Sequence, residues 1–197
     1  MHHITHIKNL DSILSKKYLY SRSLLQQQGF VFEDTADCLI IIGRENNRHK
    51  INFNDYVPFH LDKIQETWGI GYNFVEIKKY GKENLVYLIF DVPTENVIYS
   101  LFHPLSSYSV IFHEREKFIE NFKKELSCLP QKSNKYLDFC DEKVQQFLKT
   151  EILIKDKIGI DLIREIYVHN DNVKKAVECI LNNHNIKISV VVNPNFF

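Results

Sequence analysis

Met1-His2-His3-Ile4-Thr5-His6-Ile7-Lys8-Asn9-Leu10 opens the chain, and the reading of these ten residues decides what kind of domain follows. Successive residues alternate in character, the period of a strand whose neighbouring side chains point to opposite faces. His3 and Thr5 then share one face, while Ile4 and His6 take the other. Terminal residues fray unless a sheet holds them, so a strand starting at residue 2 implies a paired position with His and Thr presented together. Leu10, Ile13, Leu14 and Tyr18 follow at i, i+3, i+4 and i+8, one face of a short amphipathic helix. Asn9 or Asp11 caps its start, and Ser15, Lys16 and Lys17 lie outward.

Working outward, residues 20–29 read as a loop ending in Gln26-Gln27-Gln28-Gly29. Residues 37–44 contain Leu39-Ile40-Ile41-Ile42 and fit either a buried strand or the core face of a helix, since period alone does not separate the two. Arg44-Glu45-Asn46-Asn47-Arg48-His49-Lys50 is the densest basic cluster of the first half. Residues 56–61 are aromatic and β-branched, hence strand-like, and Pro58 points to an edge or a strand start. Residues 62–72 hold Trp68 and Gly69-Ile70-Gly71, a flexible stretch. Residues 85–92 form the clearest buried strand, 93–96 a turn, and 97–100 another strand. A helix is expected over 112–126 with Phe118, Ile119, Phe122 and Leu126 on one face. Pro130, Ser133 and Asn134 break the chain before a helix over 141–148. Strands follow at 151–154 and 162–168. Asp171 caps a helix carrying Val173, Ala176, Val177, Ile180 and Leu181, and 186–192 is a last strand. The sum is one mixed α+β domain spanning residues 1–197.

Composition narrows the function classes. Of 197 residues, 44% are hydrophobic and 25% charged, ordinary globular values that argue against disorder. Lys+Arg 25 balances Asp+Glu 25, so anion binding has to come from local clustering and not from bulk charge. The cysteines Cys38, Cys128, Cys140 and Cys179 are scattered with no C-x-x-C pair, which suggests a reducing compartment. With no signal peptide and no apolar run near the ~20 residues a bilayer requires, a cytoplasmic location without membrane contact is expected.

Familiar motifs are lacking. Gly69-Ile70-Gly71 has no third glycine and no strand–helix setting for a dinucleotide loop. There is no H-E-x-x-H pattern, and His3 and His6 point to opposite faces of a strand, so no metal site is expected. No G-x-S-x-G elbow occurs. The polar residues left to carry chemistry are dispersed: His3, Thr5, Asn9, Arg44 or Arg48, Tyr56, His60, His103 and Glu151.

Taken in order, these residues resemble the DarT family of NAD-dependent DNA ADP-ribosyltransferases, toxins of bacterial toxin–antitoxin pairs. The first matching block is His3-Ile4-Thr5-His6-Ile7-Lys8-Asn9-Leu10 with Ser12-Ile13-Leu14, and the second is the arginine-bearing segment 44–51. The third is Asp55-Tyr56-Val57-Pro58-Phe59, and the fourth is His103. The fifth is Thr150-Glu151-Ile152-Leu153-Ile154 with Gly159, Leu162-Ile163 and Ile166-Tyr167-Val168. The resemblance implies an ADP-ribosyltransferase-like fold, a split β-sheet with flanking helices and NAD in a cleft between the sheets. It implies Glu151 as the catalytic glutamate, and an arginine of the second block, Arg44 or Arg48, contacting NAD phosphate or the target base. His3, Thr5 and Asn9 would bind NAD, joined by Tyr56 and Phe59 of the third block, and His103 would help hold the nucleic-acid target.

Two departures stand out. The family continues Val-Pro-Phe with Tyr-Phe, where this chain has His60-Leu61-Asp62. Counted back from Ile51, the family's arginine falls on Asn46, so Arg44 and Arg48 are both left as candidates.

The chemistry suits these residue types. Cleaving the glycosidic bond of NAD develops positive charge at the ribose, which a carboxylate under the sugar stabilises. Pyrophosphate calls for arginine's fork or clustered donors. A base must be unstacked to react, which favours single-stranded DNA or RNA. Lys132 and Tyr136, with Lys135 and Phe139, are placed before Glu151 to contact such a strand. The resemblance further implies an antitoxin protein as partner, within a toxin–antitoxin or phage-defence system. The alternatives are a catalytically degenerate module of the same fold that binds nucleic acid or a partner protein, and a transferase acting on protein.

Overall fold

The computed structural model describes residues 1–36, 38–61, 79–93, 95–133, 136–194 and 197. Eight strands make the main sheet: β1 (His2–His6), β3 (Tyr56–His60), β4 (Leu85–Phe90), β5 (Val97–Leu101), β6 (Val110–Phe112), β9 (Glu151–Lys155), β11 (Ile163–Val168) and β12 (Ser189–Val192). Their order is β12-β11-β4-β1-β3-β9-β5-β6. Two small hairpin-like sheets pair β2 (Tyr18–Tyr20) with β10 (Lys157–Gly159), and β7 (Gln131–Ser133) with β8 (Tyr136–Leu137). The helices are α1 (Leu10–Lys16), α2 (Arg22–Gln27), α3 (Cys38–Glu45), α4 (Arg115–Cys128), α5 (Glu142–Phe147) and α6 (Asp171–Asn183).

The split lies between β1 and β3. β1 pairs along its whole length with β4, from His2↔Ile89 to His6↔Leu85. Toward β3 it pairs at one position, His2↔His60. Two four-stranded halves therefore meet at a single bridge, and beyond it β1 and β3 separate. This is the expected split sheet, with the halves still joined at one end.

Each face of the sheet has its own packing. In β4, fully buried on both sides, Val86, Leu88 and Phe90 enter the main core, while Leu85, Tyr87 and Ile89 enter a second cluster on the opposite face with Ile4. α1, α4, α5 and α6 cover the main core through Leu10, Ile13, Leu14, Phe118, Val144, Phe147, Val173, Val177 and Leu181. Under the other half of the sheet, Phe53, Ile98 and Leu153 form a third cluster. Removing a large side chain from such a core costs about 2–5 kcal/mol, so these clusters fix how the two halves sit.

Several local expectations need correction. Residues 22–27 are helical and not a loop, because Ser21 caps α2 by accepting from Leu24 N–H. Residues 38–45 resolve as helix. α1 stops at Lys16, where Lys17 turns left-handed (φ 60°), so Tyr18 belongs to β2 and is exposed. Neither expected cap acts as one there: Asn9 precedes α1 but makes no side-chain cap bond. For α6 the cap is Asn170, whose side chain accepts from Val173 N–H. Phe112 ends a strand, and Ile119 is solvent-facing while Phe118 is buried. β3 lies inside the sheet and not at an edge, and Pro58 is accommodated because the pairing with β1 has already ended there. The expected flexible stretch at 62–72 lies outside the described residues.

Candidate active site

A cleft opens where β1 leaves β3. His3 and Thr5 of β1, Tyr56, Pro58 and His60 of β3, and Glu151 of β9 line it, together with Arg44 of α3. The opposite wall is the irregular segment Phe32–Ala36.

Glu151 is fully buried at the start of β9, in register with His60 on one side and Ser100 on the other. Arg44 holds it through both carboxylate oxygens, Nη1 to Oε1 at 3.2 Å and Nη2 to Oε2 at 2.9 Å. The fork matches the carboxylate plane, which only arginine provides. Burial alone would raise the Glu151 pKa, but the Arg44 guanidinium, His60 and His103 together outweigh it, so the carboxyl is held below its ordinary value and stays ionised. Two asparagines fix Arg44. Asn54 donates to the Ile41 carbonyl at 3.0 Å, and Asn47 donates to the Arg44 carbonyl at 2.9 Å and to Ile51 O at 2.7 Å. These bonds tie the end of α3 to the chain that leads into β3.

Neutral imidazoles surround the pair. His3 Nδ1 lies 2.9 Å from the Pro58 carbonyl; a carbonyl can only accept, so Nδ1 carries the proton and Nε2 remains an acceptor. This contact spans the gap between the separated strands. Burial pushes the His3 pKa down to about 4 and that of His60 down to about 3, against the opposing pull of Glu151. The ring centroids of His2 and His60 are 5.7 Å apart at the bridge.

Thr5 and Asn9 act together. Asn9 Nδ2 donates to Thr5 Oγ1 at 3.1 Å and to Glu33 O at 2.8 Å, and Asn9 Oδ1 accepts from Glu33 N–H at 2.7 Å. Asn9 thus copies a strand partner for Glu33 and pins the far wall of the cleft to β1. Tyr80 Oη adds a bond to the Asp34 carbonyl at 2.7 Å.

The other expected site residues divide. Arg48 is exposed and donates to the Ser107 and Ser109 carbonyls, so it braces a loop and does not reach Glu151. Phe59 is excluded from the cleft: it is fully buried and packs on Phe90 with centroids 5.1 Å apart. Tyr56 and Phe59 are three residues apart on a strand, an odd offset that puts them on opposite faces.

His103 does not line the cleft. It is buried, its backbone N–H bonds to Gln146 O, and its Nδ1 accepts from Leu105 N–H. Burial lowers its pKa against the nearby Glu151 charge. Lys132 is exposed on β7 and absent from the cleft wall. Tyr136 pairs with Ser133 through β8, and its side chain lies outside the described set. Sequence reasoning missed Arg22, Glu33, Asp34, Asn47 and Asn54 altogether, and did not give the singled-out His60 a role. Among the described residues no group of three His, Cys, Asp or Glu side chains is arranged to hold a metal, and no helix is long and apolar enough to cross a membrane.

Residues 2–197 match the family described as DarT, ssDNA thymidine ADP-ribosyltransferase. The chain belongs to the DarT family. The family is one of ADP-ribosyltransferases. A comparison with curated protein sequences found no match. Among solved structures, Thermus sp. 2.9 DarT in complex with ADP-ribosylated ssDNA aligns over 100% of this chain and 94% of its own, at 19% identity and TM-score 0.74. The same Thermus DarT in complex with NAD+ aligns over 100% and 96%, at 18% identity and TM-score 0.69. Thermosipho africanus DarTG in complex with ADP-ribose gives 17% identity and TM-score 0.73, and this chain spans half of its length. At these identities the likeness establishes the fold: the mixed α+β sheet is that of DarT proteins.

Proposed function

We propose that this DarT chain transfers ADP-ribose from NAD to a thymidine of single-stranded DNA, with Glu151 as catalytic carboxylate and Arg44 as the arginine that holds it. The observation that carries this reading is the Arg44–Glu151 fork at the base of a cleft that also presents His3 and Thr5. A family named for thymidine modification and relatives solved with NAD+ and with ADP-ribosylated ssDNA support the choice of substrates.

His3, Thr5 and Asn9 bind the dinucleotide. The Thr5 hydroxyl accepts from Asn9 and is left with a proton to donate, while His3 Nε2 is left as an acceptor, a matched pair for sugar hydroxyls and an amide. Tyr56 forms part of the same wall. Glu151, kept ionised by Arg44, stabilises the positive charge that grows on the ribose as its bond to nicotinamide breaks. The new bond forms from that ribose carbon to a base nitrogen. Nicotinamide leaves with the bonding pair, and the base gives up its N–H proton. Glu151, ionised at the base of the cleft, accepts that proton.

His103, buried and within electrostatic reach of Glu151, supports the acceptor side without touching the DNA strand, and Lys132 and Tyr136 contact the strand. An antitoxin partner and a cytoplasmic setting complete the proposal. Support for the antitoxin comes from Thermosipho DarTG, whose chain is twice the matched length.

The test is incubation with labelled NAD and matched oligonucleotides. Label is expected on single-stranded DNA containing thymidine and not on thymidine-free or duplex DNA. Label on RNA alone would move the target class, and intact NAD with no labelled product from folded protein would defeat the reading.

A further inference from the structure

Three cations line the cleft among the described residues: Lys16, Arg22 and Arg44. Each is engaged. Lys16 Nζ sits 3.8 Å above the Phe30 ring. Arg22 forms a two-pronged ion pair with Asp34, Nη2 to Oδ1 at 2.5 Å and Nη1 to Oδ2, with its guanidinium 5.6 Å from the Phe32 ring. Arg44 holds Glu151. Asp34 belongs to the far wall, whose other ties are the Asn9–Glu33 bonds and the Tyr80–Asp34 bond.

A dinucleotide diphosphate carries two negative charges into this wall, and a cation has to change partner to meet it. The two arginine pairs differ in what such a change costs. Arg44 and Glu151 are 8% and 1% exposed at their side chains, so separating them strands a buried charge. Arg22 and Asp34 are 15% and 32% exposed, and water can take over the released carboxylate. The guanidinium fork that fits a carboxylate also fits a phosphate.

We propose that Arg22 is the diphosphate-binding residue of the cleft and that Asp34 is its exchangeable counter-anion. The diphosphate of NAD displaces Asp34 from Arg22 and so loosens one of the ties on the 32–36 wall. Asp34 therefore competes with the ligand. Binding the dinucleotide and freeing the wall are one event. No covalent step is involved. The inference rests on the NAD reading of the cleft given above, and it adds which cation takes the phosphates and what that cation must first release.

The experiment is calorimetric titration of the full chain with NAD, ADP-ribose and adenosine, in wild type, Asp34→Asn and Arg22→Gln. Asn keeps the shape of Asp and the Oδ1 acceptor that Ala36 N–H uses. Asp34→Asn is expected to tighten ADP-ribose by up to about fivefold, the worth of a partly exposed ion pair. Arg22→Gln is expected to weaken ADP-ribose by roughly tenfold or more. Neither change should move adenosine, which lacks the diphosphate. If Arg22→Gln does not fold by thermal melting, Arg22→Lys takes its place, with the same direction for ADP-ribose. The inference is overturned if Asp34→Asn weakens ADP-ribose or leaves it unchanged, or if the Arg22 variant loses adenosine as much as ADP-ribose. Failure of the NAD reading is a separate result: folded wild type then binds neither NAD nor ADP-ribose.

Discussion

Arg44 and Glu151 are 107 residues apart in sequence and meet through both terminal guanidinium nitrogens and both carboxylate oxygens, buried from solvent. One comes from the end of a helix, the other from the first residue of a strand inside the sheet. The pair sets the charge state of the site and locks α3 onto the β3-β9-β5-β6 half of the sheet.

Breaking this pair by removing one partner leaves an uncompensated buried charge. Arg44→Gln should lower stability by about 3–5 kcal/mol and abolish transfer, as read by chemical denaturation and by labelled-NAD assay. Arg44→Lys keeps the charge and loses the fork, so it should recover part of the stability and little of the activity. Arg48→Gln removes bonds to two loop carbonyls, costs about 1–2 kcal/mol and leaves transfer close to wild type. Equal loss of transfer in the Arg44 and Arg48 variants would contradict the assignment.

Asn9 is predicted to act on binding and not on chemistry. Asn9→Ala removes two bonds to Glu33 and one to Thr5, so the far wall is released from β1. KM for NAD should rise while kcat stays near wild type, with a stability loss of about 1–3 kcal/mol. A variant that lost kcat at unchanged KM would place Asn9 in the reaction itself.

Two histidines of the cleft give a pH dependence with a definite sign. His3 and His60 have folded pKa values of about 4 and about 3, below the 6.5 of the unfolded chain. Between these limits the unfolded chain binds protons that the fold refuses, so stability rises with pH from about 4 to about 7. The slope is about 1.4 kcal/mol per pH unit for each histidine. Glu151, with a lowered pKa, contributes stability that is present above its ordinary value and is lost as pH falls through the folded one, in the same direction. Melting temperature should therefore climb steadily over that range, and His60→Gln should flatten the climb. A maximum near pH 5 would contradict this.

How much of this was legible in the residues depends on what holds each part. Alternation places His3 and Thr5 together on β1, and the apolar run 85–90 identifies a strand buried on both faces. Glu151 was found by resemblance alone, since a carboxylate at a strand start leaves no periodic signal. The resemblance puts Phe59 beside Tyr56 in the cleft, although an offset of three on a strand already sets the two on opposite faces. Pro58 suggested an edge because proline lacks the ladder donor, and the sheet meets that constraint by splitting beside it. The Gln-rich sequence of α2 reads as loop and hides a helix started by a serine cap. Arg22, Asp34 and Asn54 act through bonds between residues 12 or 13 positions apart, which only the fold brings near, and Asn47 acts through short local bonds to carbonyls that leave no periodic signal.

Mass spectrometry of a single-stranded oligonucleotide carrying one thymidine, incubated with NAD and either wild type or Glu151→Gln, tests the central claim most directly. Wild type is predicted to add one ADP-ribose to the thymidine, and folded Glu151→Gln to add none while still binding NAD. An unmodified oligonucleotide with active, NAD-binding wild type, or modification by the Glu151→Gln protein at the wild-type rate, would contradict the account.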